Sequence, residues 1–468
     1  AAVPENNSIN LKPFMLNYLK NCKTKQIFGQ IDNLKTSICL VCGFNEAMVA
    51  LTCGHKVCND CFKDFVAMPD ISFEGFYQIS CCPFCCDSVH PYNRVIPPNA
   101  GIRVLALDGC SSNFLDEHFL IQMGILFELE NFLKVRIRDL FDFLIGSSAG
   151  GVLALYLATI ENANMGDAKK ILEKCQSAKQ GNFMTNLFAG KPVEENDLRS
   201  KLSESGLPSA RNSLYGLDGN SFEGPACAVM TFDVNSQMLQ MLSSVPGLNC
   251  TETNSHSVLD AAVATCAPKF VSIGVECEPP QEHCLSEVIQ RADKIWPGKH
   301  FDVVVSFGVS ISSLMNEIVN EISKVNQNHP CGHYRLEDPT VDKNCNLEPQ
   351  IHEYFEEEIN KDDSTLRQCA ASLHALMFYI EFEIFPCIKG IVKTKHSVAY
   401  PGTDEFKFQL NYSDGTLNLL PTDILWQKGE CLEFTFSEAL QMEISSLHKP
   451  ELYVFVASRV GDGLISSL

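Results

Sequence analysis

Residues 143–160 run without one charged side chain, just long enough to cross a bilayer as a single helix. Gly146-Ser147-Ser148-Ala149-Gly150-Gly151 in the middle of the run argues against that helix, because each interior glycine costs about 1 kcal/mol relative to alanine. The run reads instead as a buried strand, a tight turn and a buried helix. A chain that passes directly from buried strand to buried helix is one step of a sheet covered by helices.

The surrounding sequence repeats that step. Ile102–Leu107 and residues 141–145 read as strands, 119–133 and 151–160 as helices, and 226–232 and Phe301–Phe307 as further strands. The fold class expected is therefore multidomain, with an α/β domain over 101–320 built on a mostly parallel sheet with helices on both faces. Residues 321–385 form an acidic and helical region containing Glu356-Glu357-Glu358, with an apolar helix over 369–385. Residues 386–468 carry short apolar runs at Phe406–Tyr412, 431–436 and 452–457 beside Asp-Gly and Lys-Gly turns, which predicts a small β subdomain.

Ahead of the α/β domain lie a polar and helical segment (1–36), a cysteine-rich module (37–90) and a proline-bearing linker (91–100). Leu11, Phe14, Met15 and Tyr18 make one short helical stripe, which suits docking on a neighbouring domain better than anchoring in a membrane. The chain has 36 Lys and Arg against 57 Asp and Glu, a net charge of −21. Residues 1–98 are balanced, eight against eight, so the whole deficit belongs to residues 99–468. A body this acidic repels phosphodiesters, which excludes nucleic acid as the expected partner. No secretory leader is visible, and cysteines scattered singly suit a reduced compartment, so a cytoplasmic location is expected.

Nine of the 22 cysteines lie between Cys39 and Cys86. Their series is Cys39-x2-Cys42, Cys53-x-His55-x2-Cys58-x2-Cys61, then Cys82-x2-Cys85. Cys-x2-Cys on a tight turn supplies two corners of a zinc tetrahedron, so eight such positions predict two Zn2+ ions. Cys81 and Cys86 flank the last pair and could exchange with it. About fifty residues bury too little apolar surface to fold without such staples, although a reduced core cluster is the alternative. The series resembles the RING-type (C3HC4) zinc finger. That resemblance implies interleaved sites, Cys39, Cys42, Cys58 and Cys61 on one ion and Cys53, His55, Cys82 and Cys85 on the other. It also implies a ubiquitin-conjugating enzyme as partner, docking near Val41 and Pro83.

Gly146-x-Ser148-x-Gly150 between strand and helix is a nucleophile-elbow arrangement, presenting Ser148 at a helix N-terminus where N–H groups stabilise an oxyanion. With 103–109, 139–151 and 261–270 it resembles the patatin-like phospholipases. The resemblance implies hydrolysis of phospholipid or neutral-lipid esters by a Ser–Asp dyad, with no cofactor in this domain. It implies Ser148 as nucleophile, Gly146, Gly150 and Gly151 as the elbow, and Gly109 and Cys110 as the oxyanion loop. A lipid or membrane surface becomes a partner, which would place the chain at the periphery of membranes or lipid droplets. Two departures stand out. Cys110, Ser111, Ser112 and Asn113 replace glycines of the oxyanion loop, and Ser272 occupies the position of the dyad Asp. Serine has no accessible unprotonated form near pH 7, so another group must accept the proton. Glu276, Glu278, Asp260, His256 and His283 are the nearby candidates. The alternative expectation is a catalytically impaired patatin-like domain that binds lipid or protein within a RING-type ubiquitin ligase or scaffold.

Overall fold

A computed structural model of the chain describes residues 39, 41–42, 49–50, 55–58, 61–62, 76–78, 82, 84, 92–94, 100–107, 117–160, 163–168, 200, 203, 225–233, 238–244, 257–266, 270–271, 276–278, 289, 300–307, 322, 332–336, 347–361, 363–376, 378–383, 389–394, 406–412, 425–426, 432–435 and 452–459. In the cysteine-rich part, Val49–Ala50 (β1) pairs antiparallel with Lys56–Val57 (β2), and Phe76–Gln78 (β3) with Tyr92–Arg94 (β4). Ladders of two and three residues do not hold a fold on their own. Phe62 and Phe84 are buried there beside five buried cysteines.

The body opens with Ile102–Leu107 (β5), then Glu117–Leu133 (α1) and Ile137–Leu140 (α2). Phe143–Ser147 (β6) passes directly into Ser148–Thr159 (α3), so the uncharged run is a strand, a turn and a helix. Among the described residues no helix is long and apolar enough to cross a membrane. Ala226–Asp233 (β7) and Met238–Ser243 (β8) form a hairpin. Val258–Cys266 (α4), Phe270–Val271 (β9), Glu276–Glu278 (β10), Phe301–Phe307 (β11) and Gly332–Leu336 (β12) come next along the chain.

These strands make one eight-stranded mixed sheet in the order β12-β11-β5-β6-β7-β10-β9, with β8 also on β7. The run from β12 through β7 is parallel; β8, β9 and β10 are added antiparallel. Every residue of β5 and β6 is buried, which is why both strands are mostly apolar rather than alternating; Arg103 is the charged exception. The edge strand β12 lies beyond residue 320, in the stretch expected to be acidic and helical.

Leu105, Leu107, Leu144, Val303 and Val305 share one core with Leu126 and Leu129 of α1, Leu153 of α3 and Val263 of α4. Two strand starts are tied by a buried ion pair. Arg103 donates its backbone N–H and Nε–H to Asp142 Oδ2 and its NH2 group to Oδ1, each at 3.0 Å. The Gly101 N–H, at the mouth of β5, donates to Asp302 Oδ2 on β11, 201 residues away.

Leu347–Asn360 (α5) turns Ile351, Phe355 and Ile359 into the core while Glu353, Glu356 and Glu357 stay exposed, so the acidic triplet marks a solvated helix face. Thr365–Ala375 (α6) starts at Ser364, whose side chain accepts the Leu366 N–H. The helix expected over 369–385 stops at Ala375, and Phe378–Glu383 (β13) is a strand. From Ile380 onward apolar residues alternate with glutamates, a two-residue period that suits a strand and not a helix. β13 pairs with Lys389–Thr394 (β14), Phe406–Tyr412 (β15) with Leu425–Trp426 (β16), β14 with Leu432–Thr435 (β17), and β15 with Leu452–Arg459 (β18). The C-terminal region therefore contains two three-stranded antiparallel sheets.

Candidate functional site

Ser147 ends β6 in an extended conformation, and the next residue, Ser148, has φ of 52°. Among the described non-glycine residues only Lys134 shares a positive φ. The left-handed region costs an L-residue about 1–2 kcal/mol, and such strain persists only where the surroundings enforce it. The surroundings here are closely packed. A Cβ on Gly146 would lie 2.4 Å from the carbonyl carbon and oxygen of Gly150, and one on Gly150 would lie 2.1 Å from the Leu107 carbonyl oxygen. A Cβ on Gly151 would meet Thr265 Oγ1 at 2.8 Å. The three glycines let the first turn of α3 press against the ends of β5 and β6.

Ser148 is buried at 3% exposure. Its N–H donates to Thr265 Oγ1 at 3.0 Å, and the Thr265 hydroxyl donates to the Met230 carbonyl at 2.7 Å. The neighbouring pair repeats this contact in reverse, with the Thr231 hydroxyl donating to the Ala264 carbonyl at 2.7 Å. Two threonines thus join the last turn of α4 to β7, satisfying a helix-end carbonyl that has no intrahelical donor. Sequence reasoning missed Thr265; its signal was a lone hydroxyl near the end of the otherwise apolar stretch 261–266.

With the Ser148 N–H engaged, the N–H of Ala149 is the next at this helix start, a position with no intrahelical acceptor. It is the one a nucleophile elbow uses for an oxyanion. Of the candidate proton acceptors, Asp260 is committed elsewhere. It accepts the Ser257 N–H at 3.0 Å and the Ser257 hydroxyl at 2.7 Å, while Ser257 Oγ accepts the Asp260 N–H at 3.0 Å. This is a capping box at the start of α4, roughly 7 Å along the helix axis from Thr265. Glu276 and Glu278 lie on β10. Gly109, Cys110, Ser272, His256 and His283 lie outside the described residues.

The cysteine module brings Cys39, Cys42, Cys58 and Cys61 together, all four Sγ atoms within 4.8 Å of one another and all buried. Cys42 Sγ and Cys58 Sγ are 3.8 Å apart, and His55 Nδ1 lies 3.6 Å from Cys82 Sγ. A tetrahedral ion with Zn–S of about 2.3 Å and Zn–N of about 2.0 Å sets these edges at about 3.8 and 3.5 Å. The donor set therefore fits zinc. Cys53 and Cys85 lie outside the described residues. Hydrogen bonds from Cys58 and Cys61 hold the Cys39 thiol far below its ordinary value; the same contacts push Cys58 up to about 11 and Cys61 higher still. Four thiolates in this space need a cation to ionise together. Val41, expected to line a docking groove, is 1% exposed. Of the scattered cysteines, Cys227 and Cys369 are buried thiols with raised pKa, Cys227 at about 12, because burial disfavours the thiolate.

No family model matches the chain, and no curated protein matches it. Solved structures do resemble it. VipD from Legionella pneumophila is 11% identical over 57% of this chain and 68% of its own, with a TM-score of 0.27. The heterodimeric complex ExoU-SpcU, from the type III secretion system of Pseudomonas aeruginosa, matches at 15% identity over 56% of this chain and 51% of that chain, TM-score 0.29. The type III effector protein ExoU matches at 12% identity over 60% and 53%, TM-score 0.28. This chain spans about half the length of the two ExoU chains. At such identities and TM-scores the likeness says nothing of chemistry or substrate.

Proposed function

We propose that this protein is a serine acyl hydrolase acting on lipid esters, of patatin type, joined to a two-zinc module of RING type. The observation that carries this reading is Ser148, a serine in a left-handed conformation at a strand-to-helix turn cleared by three glycines. Ser148 Oγ attacks the ester carbonyl, its proton passes to a neighbouring base, and N–H groups of Ala149 and of the Gly109–Cys110 loop hold the oxyanion. The alcohol leaves with a proton from that base, and water then releases the fatty acid from Ser148. Ser272 cannot serve as the base. Glu276 and Glu278 remain the carboxylates of the arm that comes after α4.

Zinc, held by Cys39, Cys42, Cys58 and Cys61 and by Cys53, His55, Cys82 and Cys85, supplies structure to its module and takes no part in ester cleavage. Ubiquitin transfer by that module is not part of the conclusion. A fluorophosphonate probe should label Ser148, and fatty-acid release from phospholipid or triglyceride vesicles should vanish in Ser148→Ala. A folded chain showing neither labelling nor turnover would overturn the reading.

A further inference from the structure

Thr265 lies 117 residues from Ser148 in sequence, yet its single hydroxyl occupies both hydrogen-bonding directions open to it at this turn. It accepts the N–H of Ser148, whose backbone lies in the left-handed region, and it donates to β7, the strand beside β6. Its side chain also abuts the Cα of Gly151, since a Cβ there would come within 2.9 Å of Thr265 Cγ2. Thr265 is itself fully buried, as are Thr231 and Ala264 beside it, so no water replaces the contact. α4 is also tied to β7 by the Thr231 hydroxyl, which donates to the Ala264 carbonyl, and its first turn is closed by the Ser257–Asp260 capping box. The helix thus keeps an attachment to the sheet without Thr265, whose hydroxyl is left with a task at the elbow.

We propose that Thr265 is a positioning residue for the nucleophile. Its hydroxyl holds Ser148 in the left-handed conformation and keeps that residue's N–H from competing for the oxyanion, leaving the next N–H to face the substrate. This rests on the reading of Ser148 as nucleophile, but the backbone part of it is measurable without catalysis. Misplacing a reacting group by about 1 Å costs on the order of 10²-fold in rate.

Two variants separate the hydroxyl from the packing. Thr265→Val keeps the branched shape and removes both hydrogen bonds, whereas Thr265→Ser keeps the hydroxyl and removes a methyl. For the full chain, Thr265→Val should lower the fluorophosphonate labelling rate of Ser148 and kcat for a soluble ester about 10²-fold, with KM unchanged. Thr265→Ser should stay within a few-fold of the parent. Amide hydrogen exchange should quicken over 146–151 in Thr265→Val relative to Thr265→Ser, while α1 and α5 exchange as before. Labelling at the parent rate in folded Thr265→Val overturns the proposal, as does a serine variant as slow as the valine one. If the parent chain itself fails to label, the hydrolase reading falls by that result alone. Exchange at the elbow then decides the backbone role, with quickening in Thr265→Val upholding it and no change refuting it.

Discussion

Gly150→Ala places a methyl group where the first turn of α3 meets the end of β5. The added carbon would sit 2.1 Å from the Leu107 carbonyl oxygen and 2.8 Å from its carbon, the first of these more than 1 Å inside the 3.4 Å at which ordinary contact begins. The obstacle is backbone in the middle of a buried parallel sheet, so no side chain can swing aside and the strand or the helix must move. Overpacking of this kind costs about 1–3 kcal/mol, and a carbonyl as the obstacle puts Gly150→Ala at the upper end. Gly166→Ala is the matched control. Its added carbon meets only the Asn164 side chain at 3.3 Å and Phe127 at 3.5 Å, in a short helical turn where alanine gains roughly 0.5–1 kcal/mol over glycine. Urea unfolding monitored by far-UV circular dichroism should therefore move the two midpoints in opposite directions, with the slopes unchanged. A Gly150→Ala midpoint equal to that of the parent, or a loss as large in Gly166→Ala, would refute the steric account of the elbow.

Elemental analysis of the purified chain should find two zinc ions, and Cys58→Ala should lower that content. Chelation removes on the order of 10 kcal/mol of folding energy per structural ion, so the thiols of Cys39, Cys42, Cys58 and Cys61 should become open to alkylation while the body's unfolding midpoint is retained; thiols still protected after chelation would count against zinc. On β12, burial and the charge of Arg335 lower His333 to about 4 from 6.5. The unfolded chain then binds the extra proton between these values, so stability should be undiminished above about pH 6.5, fall as the pH drops towards 4, and flatten below it. The loss is on the order of 3 kcal/mol at most, and His333→Gln should abolish that slope in unfolding midpoints measured across the range.

The strand–turn–helix at 143–159 was legible because its signal is local. An uncharged stretch interrupted by glycines has few ways to be buried, and β5 and β11 were legible as short, mostly apolar runs with one charged residue each, Arg103 and Asp302. The stop of α6 was not, because an apolar run such as 369–385 fits helix and strand alike until the alternation from Ile380 is weighed against it. β12 escaped notice since a five-residue edge strand carrying His333 and Arg335 lacks the apolar continuity of the strands it joins. The clustered cysteines announced themselves by spacing, a property of neighbours in the chain. Thr265 had no such advertisement: its partners, Ser148 and Met230, are 117 and 35 residues away, and a hydroxyl in an apolar helix does not say which carbonyl it will reach.

The position of β5 between β6 and β11 has a consequence during synthesis. Gly101 and Asp302, which meet at the foot of that pairing, are 201 residues apart, and at about 5–20 residues per second the ribosome takes roughly 10–40 s to cover the distance. Throughout that interval an apolar strand lies with one row of amides and carbonyls unzipped, inviting association with a neighbouring nascent polypeptide. The emerging chain, more than the finished molecule, is the form that calls for a chaperone's shelter.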